Sequence, residues 1–98
     1  MSGWFAVIRT RDAAWDDSLP LRSQALWDPH ADYVDRMEAD GFIRMAGPLE
    51  GTRDVLIIVR ATDAAEVEAR LAEDPWTASG HLRTVRIAPW NMLVGRLG

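Results

Sequence analysis

The run Val55-Leu56-Ile57-Ile58-Val59 is unbroken in its apolarity and mostly β-branched, with Asp54 before it and Arg60 after it. That composition suits a strand, and on a strand successive side chains point to opposite faces. Val55, Ile57 and Val59 therefore share one face, and Leu56 and Ile58 the other. A strand apolar on both sides belongs inside a sheet and wants cover above and below. The chain has 98 residues, about enough for one core, so a single domain over 1–98 is expected. Very little chain is available to cover two faces.

The remaining segments say how the first face is covered. Trp4 to Thr10 is aromatic and β-branched enough for a first strand, with Phe5, Val7 and Arg9 on one side. Residues 11–26 are polar, interrupted by Pro20, and read as a loop with room for a helical turn. Asp28-Pro29 offers an N-cap acceptor and a residue suited to the first helical position, which predicts a helix over 29–39 that ends at Gly41. Phe42 to Ala46 reads as a second strand before the Gly47-Pro48 breaker. Asp63, with Glu66 three residues on, resembles a capping box that opens a helix over 64–73, and Pro75 ends it. Residues 76–80 read as a short turn, and Leu82 to Ala88 as the last strand.

The order βαββαβ predicts an α+β, ferredoxin-like unit: a four-stranded antiparallel sheet with both helices on one face and strands one and three central. The second face of the 54–61 strand then has no cover within the chain. Contiguous apolar surface of that kind predicts association of two copies through their sheets, a homodimer.

Two ionisable residues fall where the helices should be apolar. At about 100° per residue, His30 shares a stripe with Val34, Met37 and Gly41, and Asp74 shares one with Val67 and Leu71. If both stripes pack on one sheet, an imidazole and a carboxylate meet in a partly dry cleft. Such a pair does proton transfer: the acid holds the ring in one tautomer and the other ring nitrogen takes or delivers a proton. The plain alternative is an ion pair that fixes two elements. Asp74 also has the reading of an Asp-Pro helix exit whose side chain bonds the amide of Trp76 or Thr77.

Other residues fit around that pair. Arg9, on the Phe5 and Val7 side, is a candidate partner for an anionic substrate, or else a rim salt bridge. Ser79, in a glycine-containing turn, is a candidate donor to substrate or an ordinary turn residue, and it lies in no nucleophile-elbow motif. Trp27, Trp76 and Trp90 line a pocket or pack in the core and at a dimer contact. A metal has poor support: His30, His81 and Asp74 have no ligand spacing. No cofactor motif is present, since Gly47-Pro48 and Gly51 make no phosphate cradle.

Charge and composition narrow the class. With 11 Lys and Arg against 15 Asp and Glu, a net charge of −4 and no basic stripe, a nucleic-acid surface is disfavoured. Cysteine is absent, which removes disulfides and thiolate chemistry and permits a reducing cytoplasm, the expected location. The first residues enter a strand with no secretory leader, and the run from Val55 to Val59 is too short to cross a bilayer.

The order of these pieces resembles the YciI-like family of small dimeric α+β-barrel proteins. The resemblance rests on the apolar first strand, His30 at a helix start, the Gly41-Phe42 junction and Ala46-Gly47-Pro48-Leu49. It continues through Glu73-Asp74-Pro75-Trp76, Ser79-Gly80 and the closing Ile87-Ala88-Pro89-Trp90. The family is similar in fold to muconolactone isomerase and to small cofactor-free monooxygenases. The resemblance implies a homodimer and a His/Asp active site carried by His30 and Asp74. One branch of the family eliminates chloride from a chlorinated dienelactone. This chain departs from the commoner pattern in Trp76, Trp90 and its polar loop from Asp12 to Gln24.

The reading that follows is a cofactor-independent lyase or isomerase acting on a small organic, anionic or carbonyl-bearing molecule. The alternatives are a metabolite-binding module without turnover and a purely structural dimer module. An open cavity beside His30 and Asp74 separates the first two from the third.

Overall fold

Strand β3 (Asp54–Ala61) sits inside the sheet, as its two apolar faces require. The computed structural model describes residues 2–96. Its sheet runs β2-β3-β1-β4, with β1 (Gly3–Arg11), β2 (Ile43–Pro48) and β4 (Leu82–Pro89) all antiparallel to their neighbours. Strands β1 and β3 are central, the ferredoxin-like arrangement. Register pairs Phe5 with Val59 and Val7 with Ile57, so the core faces of the two central strands coincide. Tyr33 and Met37 of α1 (Trp27–Ala39) and Val67 and Leu71 of α2 (Ala64–Ala72) pack on that face.

The other face carries Ala6, Ile8, Leu56 and Ile58, with Met45 opposite Ile58 and half exposed. The core cluster draws no helical residue to that side.

Helix α2 starts as its sequence signals predict. Asp63 accepts from the Glu66 amide, and Glu66 Oε1 reaches back to the Thr62 N–H at 2.7 Å. The end of α1 is a Schellman turn: Gly41, at φ +85, donates to Glu38 O, and Phe42 donates to Met37 O. Phe42 and Met37 both lie in the core, which closes the turn with a hydrophobic contact.

Three boundaries differ from the sequence expectation. Helix α1 begins at Trp27 rather than Pro29, and its N-cap is Leu26 in the left-handed region (φ 64, ψ 21), with no side-chain cap. Asp28 is thus inside the first turn, where its charge still suits the helix dipole. The earlier start brings Trp27 against Trp76, ring centroids 5.8 Å apart, so a tertiary contact outweighs the capping preference. Residues 75–79 are a short helix, α3 (Pro75–Ser79), not a turn. Strand β2 runs on through Gly47 and Pro48, which pair with Leu56 and Val55, because an edge strand tolerates a proline.

Candidate functional site

Arg9 alternates with Phe5 and Val7 on the helix-facing side of β1, a position where a guanidinium is 1% exposed. A buried cation needs a partner. Its partner is Asp74, also 1% exposed, with Arg9 Nη1 donating to Asp74 Oδ2 at 2.8 Å. Arg9 Nη2 donates to Thr77 Oγ1, and that hydroxyl in turn donates to Leu71 O at 2.7 Å. Arg9 Nε is buried without a hydrogen bond.

Asp74 is carried by the junction after α2, not by α2 itself, which stops at Ala72. Its extended backbone (φ −67, ψ 124) followed by Pro75 makes it the N-cap of α3. Oδ1 accepts the Trp76 N–H at 2.9 Å and lies 2.8 Å from His30 Nδ1. The helix-exit reading and the pairing reading of Asp74 are therefore both realised, by one carboxylate. Burial pushes this carboxyl up, but the His30 hydrogen bond, the Trp76 amide and the charges of His30 and Arg9 outweigh it and hold the group below its ordinary 3.8. Asp74 is ionised at neutral pH, so His30 Nδ1 donates to it. His30 Nε2 makes no hydrogen bond among the described residues.

Rings fix the imidazole plane. His30 stacks on Trp76 with centroids 3.8 Å apart and planes 12° from parallel. Trp76 is in turn held by a hydrogen bond from its Nε1 to Ala25 O at 2.7 Å, by Trp15 edge-on at 5.3 Å, and by His81, stacked at 5.4 Å. Tyr33 closes the floor: its hydroxyl donates to Arg70 O at 2.7 Å, and burial, with the charge of Asp74 behind it, pushes it up to about 12.

These groups border a cavity of about 430 Å³ whose wall includes Arg9, His30, Asp74, Trp27 and Trp76. The structure thus brings together five of the seven residues singled out in the sequence. Ser79 and Trp90 are not on that wall. The Ser79 hydroxyl is hydrogen-bonded to His81 Nδ1 at 2.6 Å, and Trp90 lies with Trp4 and Pro89 beside a separate hollow where β1 begins and β4 ends. Sequence reasoning passed over Arg11, Trp15, Arg22 and Thr77. Arg11 was reachable, since it follows Phe5, Val7 and Arg9 at strand spacing; Thr77 sits in a helix too short for any periodic signal. The polar loop before α1 is stitched by buried Gln24, which donates to Asp16 O and Leu19 O and accepts from the Asp16 amide. That loop supplies Trp15, Leu21 and Arg22 to the cavity wall. Among the described residues no group of three or more His, Asp or Glu is arranged to hold a metal ion, and no helix is long and apolar enough to cross a membrane.

A family model for the YCII-related domain matches residues 5–91. The chain belongs to that family. The chain is also similar to a solved structure, 5-chloro-2-hydroxyhydroquinone dehydrochlorinase of Burkholderia phenoliruptrix in complex with 2,5-dihydroxybenzoquinone. The two are 23% identical with a TM-score of 0.65, over 89% of this chain and 93% of that one. At that identity the likeness speaks for the fold. No curated protein matches the chain.

Proposed function

We propose that this YCII-related protein is a cofactor-independent lyase or isomerase in which His30 and Asp74 transfer a proton on a small organic substrate. The observation that carries the reading is the 2.8 Å contact of His30 Nδ1 with ionised Asp74 at the wall of an open cavity. In the neutral ring Nδ1–H donates a hydrogen bond to the Asp74 carboxylate, and Nε2 is the basic nitrogen. It removes a proton from a carbon beside an electron-withdrawing group, and the electron pair passes into the adjacent carbonyl. The imidazolium, stabilised by the carboxylate, then returns the proton to another carbon, or a leaving group departs with the electron pair. Asp74 and Trp76 are positioning residues in this scheme.

The make-up of the pair supports function over scaffold. Buried ion pairs are close to break-even for stability, and this one leaves a charged N–H unbonded. A site selected only to hold α3 to the sheet needs no imidazole at all. The dehydrochlorinase activity named for the similar structure is one instance of such an elimination. We further propose that two copies pair through the sheet face bearing Leu56 and Ile58.

The test is carbon-acid exchange. Chlorinated hydroxyhydroquinones and unsaturated lactones are incubated with the protein in deuterated buffer, with substrate deuteration followed by NMR and chloride release measured in parallel. His30→Asn should lower the active member's rate by at least about 100-fold while the fold persists. An unchanged rate would remove His30 from the mechanism.

A further inference from the structure

Arg9 was the sequence candidate for an anionic substrate, yet its charge is already met by Asp74 and its second terminal nitrogen by Thr77. Two other guanidiniums reach the same cavity. Arg11 follows Arg9 at strand spacing and lies 4.4 Å over the Trp15 ring; Arg22, on the loop before α1, lies 5.7 Å over Trp27. Neither has a carboxylate partner among the described residues, although Arg53, Arg70 and Arg83 all do. A guanidinium laid on an indole face keeps its in-plane N–H groups free, the edge that grips a carboxylate with two hydrogen bonds.

Charge around the cavity points the same way. Its wall holds Arg9, Arg11 and Arg22 against Asp35 and Asp74, an excess of one positive charge before His30 is counted, in a chain whose net charge is −4. Depth orders these groups: Arg9 and Asp74 are buried, Arg11 is partly exposed and Arg22 is exposed.

We propose that Arg11 and Arg22 form an anion-recognition rim, so that a planar monocarboxylate enters with its acid group at the rim and its reacting carbon inward at His30. The inference rests on the His30 reading for the inner end only; the rim itself is a binding site. It assigns a substrate class, flat conjugated carboxylic acids, and gives Arg9 a purely internal task, holding Asp74.

The probes are benzoate and cinnamate with their uncharged amides, titrated into the full chain while tryptophan fluorescence is read. Wild type should bind the acids more tightly than the amides, with an affinity that falls as salt rises. Arg11→Gln with Arg22→Gln should weaken acid binding by about tenfold or more and leave amide binding in place. Arg11→Lys with Arg22→Lys, which keeps the charges, should recover part of it. No acid binding by wild type, equal binding of acids by the Gln pair, or equal loss for the amides would each overturn the rim. Failure of the proton-transfer reading looks different: His30→Asn would keep probe binding, and no carbon-acid exchange would occur even in wild type.

Discussion

Asp74 carries three obligations at once: it starts α3, balances Arg9 and orients His30. Asp74→Asn removes the charge and leaves a buried guanidinium unpaired, which should lower stability by about 3–5 kcal/mol in urea unfolding. His30→Asn leaves Asp74 with Arg9 and the Trp76 amide, and its loss should stay near about 1–2 kcal/mol. The folded Asp74 carboxyl titrates below its unfolded value, so its contribution is complete above the ordinary carboxylate range and drains away as pH falls through the folded value. Acid unfolding of wild type should show that slope, and Asp74→Asn should lack it. Tyr33 has the opposite sign. Its folded value of about 12 lies above the unfolded 10.0, so the stability it contributes is intact below pH 10.0 and is lost as pH climbs toward 12. Tyr33→Phe should flatten the alkaline limb of the stability profile; an unchanged limb would show that another group governs it.

At the scale of elements, strain and its relief sit beside the site. Leu26 holds a left-handed conformation that disfavours side chains by roughly 1–2 kcal/mol, and glycine adopts it freely at an entropic cost of about 0.5–1 kcal/mol. Leu26→Gly should therefore raise stability by up to about 1 kcal/mol, whereas Gly41→Ala, at φ +85, should lower it by about 1 kcal/mol in the same urea assay. The contrast also explains what could be read in advance. Strand β3 announced itself through five apolar residues, Asp63 and Glu66 through a local cap, and His30 through a periodic stripe, all signals contained within a few residues. The start of α1 at Trp27 depends on Trp76, distant in sequence, and α3 has five residues, too few for an apolar stripe to recur. Arg9 was legible as a charge on an apolar face, but its partner was not, because Asp74 had equally good local reasons to be where it is.

At the scale of the molecule, one side of the sheet is covered by α1 and α2, and the other carries no helix of the core cluster, with Met45 half exposed and Ile58 already buried. The residues on that second side, Leu56, Ile8 and Met45 among them, would be the natural contact of two copies. In sedimentation velocity the wild-type chain should run as a dimer, and Leu56→Lys with Met45→Glu should shift it to a monomer; a monomeric wild type would remove the sheet pairing. The route from sequence to this face was direct, since alternation along β3 already assigned Leu56 and Ile58 to it. The cavity was not readable in that way, because its wall draws on β1, the loop, α1 and α3 together.

One carboxylate closing three separate segments has a consequence for how this protein can fail. A chain that has not seated the 74–77 junction has neither a balanced Arg9 nor an aligned imidazole, so half-competent copies should not exist. Under the proposed proton transfer, turnover in a refolding mixture would then count correctly closed molecules, and damage would show as fewer workers rather than slower ones.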